Sequence, residues 1–124
     1  MVTRTEYLKG MLWQALESCQ NIGDLKDKPG DLAMMRQDLL RIRGILQVIV
    51  NKIQPRDYPD ADISGLVSRS KGFLDNYYFE REMDIMEPLY GDDPGRLRHL
   101  RFKILEALHD KGLSEKMQDV FSDL

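Results

Sequence analysis

Apolar residues recur at alternating intervals of three and four positions between residues 32 and 53. This spacing places every member of the set on one stripe of an α-helix. The stripe extends over three heptads, an arrangement typical of helices that pack along their length against other helices. We therefore predict a long helix over about residues 32–53, capped by Asp31. Its apolar positions are Leu32, Met35, Leu39, Ile42, Leu46, Ile49 and Ile53.

Four further segments show helical periodicity, separated by breaks that contain glycine or proline. They run from Thr3 or Thr5 to about Gln20, from about Ser64 to Met86, from a cap at Asp92 or Asp93 to Gly112, and from a cap at Ser114 to the end. Pro88 either kinks or ends the third helix. No segment alternates with the period of a strand. The predicted fold is an all-α antiparallel bundle of four main helices plus a short C-terminal helix, in one domain over 1–124.

Composition restricts the environment in which we expect this chain to work. With 124 residues the chain can form one hydrophobic core, and a net charge of −3 argues against nucleic-acid binding over the whole surface. Cys19 is the single cysteine, which fits a reducing compartment. There is no apolar run of membrane-spanning length and no signal-peptide segment at the N-terminus. We expect a cytoplasmic protein with no membrane partner.

Charged residues are divided into two adjacent blocks. Residues 75–93 contain seven acids and one base, and residues 94–105 contain four bases and no acid. Helix dipoles favour the opposite order of charges, so another interaction should compensate for this unfavourable placement. The blocks either pair within the chain or dock one molecule on another. A third possibility is that the basic block binds backbone phosphates of nucleic acid. Its four bases are Arg96, Arg98, Arg101 and Lys103.

A predicted protein interface combines the long apolar stripe with residues at its edges. Arg36 and Arg43 lie one heptad apart beside the stripe, at positions that select partners in coiled coils. Three consecutive aromatics, 77–79, cannot all face one core on a helix, and Trp13 is one position off the apolar line of its helix. The predicted interface residues are Leu39, Arg36, Arg43, Leu46, Trp13 and Tyr78.

These features favour a non-enzymatic helical interaction or oligomerisation module. By size, acidity and helical content the chain resembles secretion-type chaperones and adaptor subunits, which implies a protein partner or self-association into a homo-oligomer. We assign no catalytic residue, cofactor or metal site from the sequence. A Glu-x-x-His match at Glu106 and His109 is a single copy, whereas a di-iron bundle site needs two. The alternative function is a nucleic-acid-binding subunit that uses the basic block.

Overall fold

The computed structural model describes residues 3–124, and Met1 and Val2 of the predicted domain lie outside this range. It confirms an all-helical bundle. No helix of the described part is both long and apolar enough to cross a membrane. The helices are α1 (Arg4–Asp24), α2 (Asp31–Lys52), α3 (Ile63–Asn76), α4 (Glu80–Tyr90), α5 (Pro94–His109) and α6 (Leu113–Asp123), with 3₁₀ turns at Pro55–Asp57 and Asp110–Gly112.

Helix α2 lies at the centre of the bundle, and its apolar stripe supplies much of the core. It packs against α1, α3, α4 and α5, while α6 covers α1 and α3. Every member of the stripe is buried within the single chain, with Leu39 1% exposed and Leu46 fully buried. The long heptad-like pattern therefore reflects a helix that is surrounded by its own chain. A helix with several helical neighbours needs a wide apolar surface, and this one has it.

Side-chain caps fix two helix starts where the sequence places them. Thr3 Oγ1 accepts the Glu6 N–H at 3.0 Å, and an Asp93 carboxylate oxygen accepts the Arg96 N–H at 2.9 Å. Both bonds satisfy amide groups that a helix N-terminus leaves without a partner. Pro94 follows Asp93 in the first turn of α5, where its missing N–H costs nothing.

Two other predicted caps are wrong, because a glycine takes the capping position in each case. Gly30 precedes α2 with φ 94°, and Asp31 is instead the first helical residue, whose carboxylate accepts the Lys28 N–H at 3.0 Å. Gly112 precedes α6 with φ 75°, so Ser114 lies inside that helix. Left-handed backbone of this kind is accessible to glycine at little cost, so the chain turns sharply at both points.

The segment predicted as one third helix forms two helices, with a break at the three consecutive aromatics. Leaving the helix lets Phe79 turn into the core and its ring stack on Tyr77, with ring centroids 6.3 Å apart. Tyr78 points outward. Because the break falls at 77–79, Pro88 lies inside a new helix near its C-terminal end, and its ring leaves the Asp84 carbonyl without the usual i→i−4 hydrogen bond. Helix α4 continues two residues past Pro88, to Tyr90, so Pro88 does not end it.

Candidate interaction surface

Helix α4 is attached to the bundle by few buried side chains. Met83 is its only fully buried residue, whereas α2 buries nine. Ion pairs hold its flank: Arg36 of α2 contacts Asp84 at 3.0 Å and Glu87 at 3.3 Å. Exposed pairs of this type add about 0–1 kcal/mol each, so α4 depends on them more for position than for stability.

Arg43, the second arginine beside the α2 stripe, secures the break before α4. Its guanidinium donates to the Tyr77 carbonyl oxygen at 2.7 Å and lies 5.5 Å from the centre of the Tyr78 ring. The carbonyl lost its helical partner at the break, and this bond replaces it. Tyr78 in turn donates its hydroxyl to Glu80 at 3.0 Å, which raises the pKa of Tyr78. Arg43 and Tyr78 thus contact each other within the chain.

The outward side of α4 carries two large apolar side chains with little cover. Ile85 is 60% exposed and Leu89 is 73% exposed, and they lie one helical turn apart. Ile85 lines a shallow groove of about 200 Å³ between α4 and α5, whereas Leu89 lines a second groove on the α2 side of α4. The apolar floor of the first groove comes from Met86 and Leu100. We call this surface the α4–α5 face, and define it by Ile85, Met86, Leu89, His99 and Leu100.

Three contacts set the register of α4 against α5. Lys103 pairs with Glu82 at 2.9 Å, Met86 shares the groove with His99, and the Arg96 guanidinium lies 4.1 Å from the centre of the Tyr90 ring. As α4 advances, its partners on α5 move backwards, so the two helices run antiparallel. The α4–α5 face is consequently a two-helix surface with a defined alignment.

The four bases of α5 lie on two different flanks of the helix. Arg96 and Lys103 point toward α4, as their contacts show. Arg101 points the other way, to Asp27 in the α1–α2 loop, with Nε–Oδ1 2.9 Å and Nη2–Oδ2 3.1 Å. At 100° per residue Arg98 lies about 60° from Arg101 on that same flank. The predicted phosphate-binding set is therefore divided, and two of its members are engaged in ion pairs.

The acidic and basic blocks pair with each other at one point only among the described residues. That contact is Glu82 with Lys103. The other pairs join each block to α2 or to the α1–α2 loop, through Arg36 and Asp27. The two blocks thus retain opposite net charges side by side on adjacent helices.

The structure separates the six residues of the predicted interface. Leu39 and Leu46 lie in the core, so the prediction that they meet a partner is corrected: their stripe is covered by this chain's own helices. Arg36 and Arg43 attach α4 and the preceding break to α2. Trp13 is exposed on α1, a helix that packs on α2, α5 and α6. Tyr78 is exposed next to α4.

The sequence analysis did not single out Ile85 and Leu89, because the predicted third helix ended at Met86, before Leu89. With the helix starting at Glu80, a helical projection places Ile85 and Leu89 about 200° and 240° from buried Met83. That separation puts them on the outward side. Phe102 of α5 is a further exposed aromatic that was missed, and Arg98 and Arg101 both approach its ring.

A cleft lined by both polar and apolar side chains lies at the other end of α5. Its volume is about 680 Å³, and Tyr77, Glu82, Lys103, Glu106 and His109 are among the residues that line it. The Tyr77 hydroxyl donates to Asp110, which raises the pKa of Tyr77. The cleft brings acids and a base together, but most of these groups already bond to one another.

His109 is the only histidine near a hydroxyl and a carboxylate in the described residues. Ser114 Oγ lies 2.7 Å from His109 Nδ1, and Glu115 Oε1 lies 3.4 Å from the same nitrogen. A serine–histidine–acid relay uses the two ring nitrogens separately. This trio is instead a surface cluster at the start of α6. Between residues 3 and 124 no three His, Cys, Asp or Glu side chains are grouped to hold a metal ion.

Comparison with protein-family models, curated proteins and solved structures finds no match to this chain. We therefore infer its function from the geometry of its own surface.

Proposed function

We propose that this protein is a helical interaction module that binds another polypeptide through the α4–α5 face. The observation that carries the proposal is the pair Ile85 and Leu89, exposed at 60% and 73% on one side of a helix with a single buried residue. Single exposed apolar residues are ordinary in soluble proteins. Ile85 and Leu89 lie at adjacent turns of one helix, and Ile85 lines an apolar groove. Exposed apolar patches are typical of binding sites.

The energetics of the patch fit binding better than folding. Full burial of a leucine or isoleucine is worth about 1.5–3 kcal/mol, and little of this is realised while the residues face water. Covering the pair by a partner would recover most of it. Association itself costs roughly 4–15 kcal/mol in lost freedom, so this patch alone supports a modest affinity.

The position of the charges supports a polypeptide partner over a nucleic acid. Two of the four α5 bases are engaged by Asp27 and Glu82, and the four lie on opposite flanks. Phosphate binding gains from bases that follow one surface together. An apolar groove bordered by both signs of charge is the usual composition of a protein-binding surface.

Photo-crosslinking from the α4–α5 face tests the proposal. A maleimide–benzophenone would be attached to Leu89→Cys, and to Gln118→Cys at an exposed position of α6 as the matched control. Burial raises the pKa of the native Cys19 thiol to about 12, so labelling favours the introduced cysteine. After irradiation in a lysate of the native host, we expect position 89 to yield discrete polypeptide adducts that position 118 lacks. Equal or absent adducts at the two positions would refute the proposal.

A further inference from the structure

Acids in the middle of α4 are turned away from the groove between α4 and α5. A helical projection places Glu87 about 40° and Asp84 about 100° from buried Met83. Ile85, in contrast, lies about 200° from Met83 and lines the groove beside α5. The carboxylates of Asp84 and Glu87 both contact Arg36 of α2, at 3.0 Å and 3.3 Å. Their negative charge therefore lies on the α2 side of the helix.

The groove beside α5 has an excess of positive charge. Glu82 is the one acid of the described chain that lines it, and Lys103 neutralises this carboxylate at 2.9 Å. Arg96 lines the same groove, and no carboxylate of residues 3–124 forms an ion pair with it. Its guanidinium lies 4.1 Å from the centre of the Tyr90 ring. The charge of Arg96 is therefore available to a partner.

A second base without an ion-pair partner lies toward the other end of α4. Arg81 precedes Ile85 by one helical turn, about 40° from it in projection, and is exposed. None of the carboxylates in residues 3–124 pairs with it. From Arg81 to Tyr90, the residue that Arg96 contacts, α4 rises roughly 14 Å. The apolar strip formed by Ile85 and the groove thus has an unneutralised positive charge near each end.

We propose that the α4–α5 face binds an acidic amphipathic helix of another protein. The proposal rests on the proposed function and names the chemistry of its partner. Apolar side chains of the bound helix contact Ile85, Met86 and Leu100, and carboxylates at its edges pair with Arg81 and Arg96. Laying an amphipathic helix in an apolar groove is a common mode of peptide recognition. Opposite charges along the two surfaces fix its orientation and exclude other partners.

The groove favours this occupant over a basic helix or a phosphate backbone. A basic helix would place its charges against Arg81 and Arg96, where like charges repel. A phosphate backbone would leave the apolar floor at Met86 and Leu100 without apolar contacts. The eleven residues of α4 span roughly 16 Å, so the bound helix makes contact over about three turns. We therefore expect weak binding, with a Kd on the order of 100 µM.

Nuclear magnetic resonance of the full, isotope-labelled chain tests the proposal with two synthetic peptides of about 14 residues. Both peptides carry leucines at helical spacing, with flanking glutamates in the first and lysines in the second. We expect the glutamate peptide to shift the amide resonances of Ile85, Met86 and Leu100. The lysine peptide should bind at least about tenfold more weakly. Binding of the glutamate peptide should weaken as salt shortens the screening length.

Charge reversal at the border of the groove separates charge complementarity from apolar contact. Arg81→Glu and Arg96→Glu should each weaken binding of the glutamate peptide about fivefold or more, because each replaces an attraction by a repulsion. The same variants should bind the lysine peptide more tightly than wild type does. Arg56→Glu, an exposed change outside α4 and α5, is the control and should leave both affinities within about twofold of wild type. Circular dichroism of each variant establishes that altered binding is not loss of fold.

The outcomes separate this inference from the proposed function. Equal affinity for the two peptides, resonance shifts confined to other surfaces, or no binding of the glutamate peptide at about 1 mM overturns the acidic partner. If one of these results is found while residue 89 still crosslinks to polypeptides, the interaction function stands and the partner has a different chemistry. If residue 89 also yields no adducts beyond those of position 118, both proposals are wrong.

Discussion

The ion pair between Arg101 and Asp27 should anchor the α1–α2 loop to α5, and its removal should destabilise the fold. The side chains are only 12% and 15% exposed, and two hydrogen bonds join them. Arg101 also donates to the Gly23 carbonyl oxygen at 3.3 Å. Arg101→Met keeps most of the packing volume and removes all three bonds.

The size of the expected destabilisation follows from the burial of the two side chains and the number of hydrogen bonds that are lost. Removing one member of a fully buried ion pair costs about 3–5 kcal/mol, and an exposed pair contributes about 0–1 kcal/mol. This pair lies between those limits, so we expect Arg101→Met to lower the free energy of unfolding by about 2.5 kcal/mol. For 124 residues that loss lowers Tm by about 10 °C. Arg98→Met, on the same flank without an ion pair, should shift Tm by no more than about 2 °C.

Asp27 gives the same prediction a pH dependence. Its hydrogen bonds with Arg101 hold the pKa of the carboxyl below its ordinary value of 3.8. A lowered pKa contributes stability above the unfolded value, and this contribution is lost as pH falls through the folded value. Asp27→Asn, which also tolerates φ 63° at this position, should therefore be less stable than wild type near neutral pH.

Thermal unfolding followed by circular dichroism measures both effects. The difference between wild type and Asp27→Asn should narrow as pH is lowered through the folded pKa of Asp27. A Tm for Arg101→Met within about 2 °C of wild type would refute the structural role of the pair. A difference for Asp27→Asn that is unchanged at low pH would refute the electrostatic explanation.

Three further predictions concern backbone conformation, thiol reactivity and local opening. Gly44→Ala, on the open side of α2, should raise Tm by about 3 °C, because alanine favours a helix more than glycine does. Gly112→Ala should lower Tm, because φ is 75° at this position. Shifts of the same sign would contradict the backbone conformations that we assign to these two glycines. Cys19 should react with a thiol reagent only after unfolding, since burial raises its pKa to about 12; rapid reaction of the native protein would show an accessible thiolate. Amides of α4 should exchange with deuterium faster than those of α2, because α4 buries one side chain; equal protection would place α4 in the main core.

Much of the fold could be predicted from the chain because it depends on local periodicity and caps. The α2 stripe, the Thr3 cap and the Asp93 cap are all short-range signals. The break at 77–79 could not be read in the same way. It depends on Phe79 reaching the core and on Arg43, 34 positions earlier, bonding the freed Tyr77 carbonyl.

The candidate surface was missed for a related physical reason. Burial by neighbours is a property of the assembled bundle, and a strong stripe such as the one containing Leu39 looks the same whether its cover is another molecule or the same chain. Ile85 and Leu89 belong to no strong apolar stripe, and Leu89 lies beyond the predicted end of the third helix at Met86. The residues with the strongest apolar periodicity therefore lie in the core, and those with the weaker periodicity form the candidate surface.

Crosslinking from two exposed apolar positions tests the interaction surface most directly. Leu89→Cys on the α4–α5 face and Trp13→Cys on α1 would carry the same benzophenone label in the same native lysate. Both positions are exposed, at 73% and 55%, so surface hydrophobicity alone predicts similar yields. We expect discrete polypeptide adducts from position 89, in clear excess over position 13. Equal yields, or adducts mainly from position 13, would contradict this prediction.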